Sequence, residues 1–238
     1  MNQTTSLPED LPTLEEVAAR FDIPEHAQAT IWAANVLRTA MNDGALTPGT
    51  KLSEIHIAEL LGISRNTLRQ AFIMLVAQNL VEQIPNRGVF VKEPDARQIQ
   101  EMFAVRLALE STAIELCPAE ADLSRLRAAV KQSKESRARG SVAGMARANN
   151  EFHGAIVVLA GNQRMNRMMS SILAEMRLLF FSQVNVPSFH ANFVDLNEEL
   201  LRLIETRNLG QAQRKLRMYL LHSRAHSSAH LSTELTNR

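Results

Sequence analysis

Apolar residues recur at helical spacing through Ser53-Glu54-Ile55-His56-Ile57-Ala58-Glu59-Leu60-Leu61, and Gly62-Ile63 breaks the run with a short turn. Ser64 is a good N-cap, and Arg65-Asn66-Thr67-Leu68-Arg69-Gln70-Ala71-Phe72 opens the next helix. Its period turns Leu68, Phe72 and Leu75 inward and leaves Arg65, Asn66 and Arg69 outward. Two β runs follow, Leu80-Val81-Glu82-Gln83-Ile84 and Val89-Phe90-Val91, around Pro85-Asn86-Arg87-Gly88. Such runs about an Asn- and Gly-containing turn predict a hairpin wing. Ser53 to Val91 therefore reads as a winged helix-turn-helix.

Residues 1–24 read as a polar, Pro-containing arm with room for one short helix from Leu14 to Phe21. Glu25 to Asn42 is predicted as the first helix of the winged domain, with Ile31, Val36 and Leu37 in its core, and Asp43-Gly44 stops it. The winged domain thus spans 25–92. A linker at 93–97 contains Pro94, and Asp95 caps the helix beyond it.

From 98 to 235 the pattern is helical. Ala96 to Leu116 carries Ile99, Met102, Phe103, Leu107, Leu109 and Ile114 at helical spacing, and Pro118 breaks it. Leu123 to Arg139 has a charged face, and Gly140-Ser141 separates it from Val142 to Leu159. Gly161-Asn162 ends that helix. Gln163 to Gln183 is rich in Met and Leu, with Met165, Met168, Met169 and Met176 packing the bundle. Pro187 breaks the chain, then Phe189 to Arg207 and Leu209 to Leu231 complete it. The expected fold is mainly α: a winged helix-turn-helix with a small β wing, then an all-α antiparallel helix bundle.

Length and charge sharpen this picture. The 238 residues suffice for two domains, each with its own core. The formal net charge is only +1, so a basic footprint for nucleic acid must be local. Cys117 is the single cysteine, which rules out an internal disulfide and suits a reducing cytoplasm. No apolar run approaches the roughly 20 residues of a membrane span. The first residues lack a signal-peptide pattern, so the expected location is the cytoplasm. There is no nucleophile with a base at motif spacing, no phosphate-binding Gly loop and no paired carboxylates, so an enzyme is not expected. One Trp and one Tyr offer no stacking platform for RNA.

The outward residues have a chemistry suited to duplex DNA. A recognition helix enters the major groove by its N-terminal end. Arg65 and Arg69 are four apart and share a face. Arginine can donate two parallel bonds to guanine O6 and N7, and Asn66 and Thr67 can bond bases or phosphate. The free N–H groups at the helix start favour a phosphate. Two arginines on an exposed face are often merely solvated. Here the short turn, the capped helix and the basic wing tip agree on DNA.

The stretches Pro48-Gly49-Thr50-Lys51-Leu52-Ser53-Glu54, Ala58-Glu59-Leu60-Leu61-Gly62-Ile63-Ser64-Arg65, Asn79-Leu80-Val81-Glu82 and Pro85-Asn86-Arg87-Gly88-Val89 resemble the DNA-binding domain of the GntR family of bacterial regulators. The resemblance implies that Arg65 and Arg69 read bases and that Ser64, Asn66 and Thr67 contact DNA near them. It also implies that Arg87 and Gly88 reach the minor groove or backbone, with Lys51 and Asn86 in the same contacting set. Where the family usually has Thr-Pro-Val-Arg-Glu, this chain has Asn66-Thr67-Leu68-Arg69-Gln70, so its operator should depart from the commonest pattern. The helical domain resembles the FCD ligand domain of the FadR-like branch. The residues that carry this are Val105-Arg106 with Glu110, Phe152-His153 with Ala160-Gly161-Asn162, and Ala212 and Leu216 in the closing helix. Together the resemblances cover nearly all of 27–231.

Many members hold a divalent metal with an Asp, a His four residues later and two more His on the last two helices. By these landmarks the positions here are Asn149, His153, Asn197 and Tyr219. A tight first-row metal site wants several imidazoles or carboxylates. The expectation is therefore a pocket with no metal and no cofactor. His222, His226 and His230 lie at four-residue spacing and offer a second reading, a metal-dependent regulator with regrouped histidines. An exposed polar helix end accounts for the same stripe and is preferred, although His222 lies one turn beyond Tyr219 and can still face the pocket. His153 reads equally as a hydrogen-bonded core residue or as part of the pocket.

In a metal-free pocket a carboxylate effector must be held by protein donors. Arg106 is the candidate anchor, or else the structural partner of Glu110 four residues on. Asn149, His153, Asn197 and Tyr219 would add neutral hydrogen bonds. The resemblance then implies a homodimer on a near-palindromic double-stranded DNA operator, with effector binding shifting the operator-competent population. A repressor of a catabolic operon, controlled by a small organic acid, is the expected role. An effector-free DNA-binding protein, its pocket filled by core side chains, is the remaining alternative.

Overall fold

The computed structural model describes residues 11–22, 28–182 and 187–236, excluding the side chains at 180–190, 226 and 228–236. The chain divides into two compact units, Met1–Glu93 and Pro94–Arg238.

In the first unit, α1 (Leu14–Ala18) begins with a reciprocal cap between Thr13 and Glu16 and buries Val17. It packs on α2 (Ala29–Asp43), and Arg20 Nη1 reaches Asp43 Oδ2 at 2.6 Å. The predicted start of α2 at Glu25 lies outside the described residues. Gly44 ends α2 in the left-handed conformation, φ 86°. Val36 and Leu37 are buried as expected, but Ile31 is 55% exposed. The buried stripe of α2 runs through Ala33, Ala34, Val36, Leu37, Ala40 and Met41, and Ile31 falls on the opposite arc.

Helix α3 (Glu54–Leu61) is capped by Ser53, and Gly62 at φ 64° turns the chain toward α4 (Arg65–Ala77). Leu68, Ala71, Phe72 and Leu75 of α4 pack inward against α2. The wing strands are β2 (Val81–Ile84) and β3 (Gly88–Val91), paired antiparallel in the register Val81↔Val91 to Ile84↔Gly88. A further strand, β1 (Lys51–Leu52), pairs with the other edge of β3, giving the order β1-β3-β2. Sequence reading missed β1 because two residues carry no periodicity.

The second unit is an all-α helix bundle: α5 (Ala96–Glu115), α6 (Ser124–Ala138), α7 (Val142–Val158), α8 (Gln163–Ser182), α9 (Pro187–Glu205) and α10 (Leu209–Thr236). Asp95 caps α5 with a reciprocal bond from its own N–H to Gln98. Helix α7 packs against α5, α6, α8 and α9, and α10 lies along α5 and α9. Ile99, Phe103, Ile114, Phe152, Ile156, Leu200, Ile204 and Leu216 share one apolar core. Met169 and Met176 join it, whereas Met168 is 53% exposed, because adjacent helical positions diverge by about 100°. Pro187 opens α9 rather than breaking the chain before it; an N–H at the first helical position has no partner within the helix, so proline forfeits no bond there. The Arg207 guanidinium ties the α9–α10 turn to the end of α5 by donating to Cys117 O at 2.9 Å and Pro118 O at 2.8 Å.

Phe152→Ala should cost about 3–5 kcal/mol in urea unfolding of the helical unit, since its ring is wholly buried. Ile31→Ser should stay within about 0.5 kcal/mol of the parent in the same measurement.

Candidate nucleic-acid interface and buried polar centre

The start of α4 is built by its own side chains. Ser64 Oγ accepts from the Thr67 N–H at 3.0 Å, and the two hydroxyls lie 2.8 Å apart. That bond uses one free donor of the first turn and leaves Arg65, Asn66 and Arg69 exposed. The guanidinium Nε of Arg69 donates to Glu54 Oε2 at 2.9 Å, and Arg65 Nη2 lies 3.6 Å from the same oxygen. Ser64, Arg65, Asn66, Thr67 and Arg69 therefore share one helix start.

The wing tip gathers the other candidates. Asn86 takes φ 61°, a conformation Asn tolerates, and Gly88 takes φ 112°, which needs glycine. A Cβ on Gly88 would meet Lys51 Cε at 3.3 Å, so the β1 side chain lies close over the turn. Lys51 Nζ and Arg87 Cζ sit 5.9 and 5.7 Å from the centroid of the Phe90 ring. One aromatic ring thus steadies two wing cations. Phe90 carried no role in the sequence reading; its alternation in β3 was the available signal.

The second unit brings all five predicted effector residues together. Helix α5 supplies Arg106, α7 supplies Asn149 and His153, α9 supplies Asn197 and α10 supplies Tyr219, and all are buried. Arg106 Nε donates to Glu110 Oε1 at 2.9 Å. The other carboxylate oxygen, Oε2, lies 2.6 Å from His153 Nδ1. His153 Nε2 lies 3.0 Å from the Tyr219 hydroxyl, which is 2.7 Å from Asn149 Oδ1. Asn197 Nδ2 donates to Asn149 Oδ1 at 2.8 Å. Phe193 stacks on Tyr219 at 5.2 Å.

Burial sets the protonation states. Burial alone would raise the Glu110 carboxyl, but the neighbouring His153 and Arg106 outweigh it and hold it below its ordinary value. Burial chiefly pushes the His153 imidazole below its ordinary value, against the pull of Glu110. Burial also raises the Tyr219 phenol, so it keeps its proton. A neutral His153 then donates from Nδ1 to Glu110 and presents a lone pair at Nε2. The single Tyr219 proton faces two acceptors, His153 Nε2 and Asn149 Oδ1. Arg106 Nη2 and Asn197 Oδ1 are buried without hydrogen-bond partners among the described residues.

Glu110 is the residue whose reach was missed. It was read only as the neighbour of Arg106, yet it also orients His153. Its signal was its phase on α5, where Phe103, Arg106, Glu110 and Ala113 share the buried face.

The four positions at which related proteins hold a metal do converge, but their donors do not suit one. They offer a single imidazole, whose Nδ1 is committed to Glu110 and whose Nε2 faces a protonated phenol. Among the described residues no three His, Cys, Asp or Glu side chains gather as a metal site. His222 is exposed on α10, and the side chains of His226 and His230 lie outside the described residues. Elsewhere in this unit, a groove of about 430 Å³ between α6, α7 and α8 is walled by Ala129, Ala155, Val158, Met169 and Leu173.

The model of the FCD domain matches residues 101–222, and that of the bacterial regulatory proteins of the gntR family matches 33–91. A putative GntR transcriptional regulator from Rhodococcus sp. RHA1 superposes with a TM-score of 0.80 at 34% identity, covering 83% of this chain and 96% of that one. Escherichia coli McbR/YncC shares the fold at a TM-score of 0.70 and 21% identity, covering 84% and 96%. In sequence, HTH-type transcriptional regulator McbR of Escherichia coli K12 is 29% identical over 135 residues, 56% of this chain and 61% of that protein. The uncharacterized HTH-type regulator YdhC of Bacillus subtilis is 26% identical over 142 residues, 58% and 63%. The aligned stretches thus span under two thirds of these relatives.

Tyr219→Phe should cost about 1–3 kcal/mol, because the one phenol proton that serves the buried acceptors His153 Nε2 and Asn149 Oδ1 is removed. Both depressed groups weaken the fold as the pH falls, each in its own window. The unfolded chain binds a proton that folded His153 refuses, so that contribution is full above about pH 6.5 and falls below it, whereas the Glu110 contribution is lost only below about pH 4.5. Urea midpoints from about pH 8 to pH 5 should show this decline, with a shallower slope in His153→Gln.

Proposed function

Since the chain belongs to the GntR family of bacterial DNA-binding transcriptional regulators and carries an FCD ligand-binding domain, we propose that it is a homodimeric, metal-independent repressor of a catabolic operon, released from its operator by a small organic acid. The observation that carries the DNA reading is the outward pair Arg65 and Arg69 on the capped first turn of α4. In this reading the two arginines read base edges, Ser64, Asn66 and Thr67 bond bases or phosphates, and Lys51, Asn86, Arg87 and Gly88 follow the wing along the backbone or minor groove. Two copies present two such helices to a near-palindromic site. A genomic partner places the protein in the cytoplasm.

The effector enters the helical unit at the polar centre. Arg106 Nη2 supplies a donor and Asn197 Oδ1 an acceptor that no described residue satisfies. A carboxylate with a neighbouring hydroxyl answers both. Glu110 already offsets the charge of Arg106, so orientation by Asn149, His153 and Tyr219 matters as much as attraction. The acid binds one arrangement of the dimer better, and that difference shifts the DNA-competent population. The second reading is an effector-free regulator. It is favoured by the mutual hydrogen bonding of Glu110, His153, Tyr219, Asn149 and Asn197, which closes most of the centre on itself.

Arg65→Ala and Arg69→Ala should each weaken operator binding by about 1–3 kcal/mol, with the dimer and its melting temperature unchanged. Unaltered protection of the same operator by either variant would reject the base-contact assignment. Thermal melts against small hydroxy and keto acids should show a shift that survives a chelator. A shift that requires added metal would instead favour regrouped histidines, and no shift with any acid would favour the effector-free reading.

A further inference from the structure

Glu54 opens α3, and its side chain reaches across to α4. One of its oxygens, Oε2, serves both candidate reading arginines: Arg69 Nε at 2.9 Å and Arg65 Nη2 at 3.6 Å. The arginine side chains are 57% and 55% exposed and Glu54 is 28% exposed. Pairs this exposed add little to stability. Their effect here is directional. An arginine offers a partner either the Nε–Nη edge or the edge formed by both Nη groups. With Nε bonded to Glu54, Arg69 presents its two Nη groups, a fork that can meet guanine O6 and N7 together.

The same carboxylate has a second consequence. It sits beside the cations that would meet a nucleic-acid backbone, and it repels phosphates whatever the sequence. A base match that engages the Arg69 fork offsets that repulsion, and a mismatch does not. Discrimination arises from weakened wrong complexes as much as from strengthened right ones.

We propose that Glu54 is a positioning residue that sets the base selectivity of α4, by fixing the reading edge of Arg69, drawing Arg65 to the same side, and disfavouring backbone-only binding. This rests on the reading of α4 as the recognition helix.

The test starts with the full-length wild-type protein and a pool of randomised DNA duplexes. The duplex it selects serves as the specific probe, and a scrambled duplex of equal length as the non-specific one. Both affinities are measured for wild type, Glu54→Gln and Glu54→Asp. Glu54→Gln removes the charge and should tighten scrambled binding about three- to tenfold, while the ratio of specific to scrambled affinity falls at least about tenfold. Glu54→Asp keeps the charge but shortens the reach. Scrambled binding should stay within about twofold of wild type, and the ratio should fall as in Glu54→Gln. Repeating the selection with either variant should lose the preference at a guanine position, a readout that general weakening of the fold would not produce.

The same selected sequence with an unchanged ratio in both variants would overturn the proposal. The parent reading fails separately. If the wild type selects no sequence, α4 is not a recognition helix. If Arg65→Ala or Arg69→Ala abolishes selection while both Glu54 variants preserve it, the DNA reading stands and the role of Glu54 falls.

Discussion

The helical unit depends on one buried carboxylate. Glu110 lies on the core face of α5, and its two oxygens are divided between Arg106 on its own helix and His153 on α7. An unpaired acid there would face a large desolvation cost. Arg106 compensates its charge, and His153 passes the polarity on, through Tyr219 of α10 and Asn149 of α7, to Asn197 of α9. Four helices are thereby tied through a single polar chain inside an apolar core. Apolar packing tolerates small slips, but a chain of directed hydrogen bonds specifies the helix registers. Any molecule that binds in this centre must rearrange partners already shared among those helices, which is the physical requirement for a site that couples binding to helix position.

The same chain lies at the positions where metal ligands would otherwise converge. A cation draws donors from several helices to one point by charge. Here a phenol that keeps its proton meets an imidazole that lacks one, and two amides complete the set. Groups of this kind link the helices by hydrogen bonds, and among the described residues they leave Arg106 Nη2 and Asn197 Oδ1 without partners. In the proposed reading, those two atoms are where a small ligand would be recognised.

In the winged unit the logic is local. Candidate DNA-facing cations are each steadied from within: Arg69 and Arg65 by Glu54, Lys51 and Arg87 by the ring of Phe90. Side chains oriented before binding lose less rotamer freedom on binding. With a net charge of only +1, the chain relies on placement of a few cations more than on their number.

By itself the sequence determined the elements and their boundaries wherever the signal is local. Gly62 and Ser64 mark the turn before α4 and its cap, Asn86 and Gly88 mark the wing, Asp95 caps α5, and helical periods order the bundle. The spacing of Asn149, His153, Asn197 and Tyr219 also pointed to one meeting place, through resemblance. Only the tertiary structure decided which partners those residues take. Burial phase put Ile31 and Met168 outside, since their helices face the core on another arc. The pairing of β1 with β3 joins residues about forty positions apart, which no local pattern records. The links Glu54–Arg69 and Glu110–His153 likewise cross between helices. Local conformation follows from the covalent neighbourhood, whereas a contact between helices depends on how their packed faces are set in rotation and register, and that is fixed only when the whole core closes.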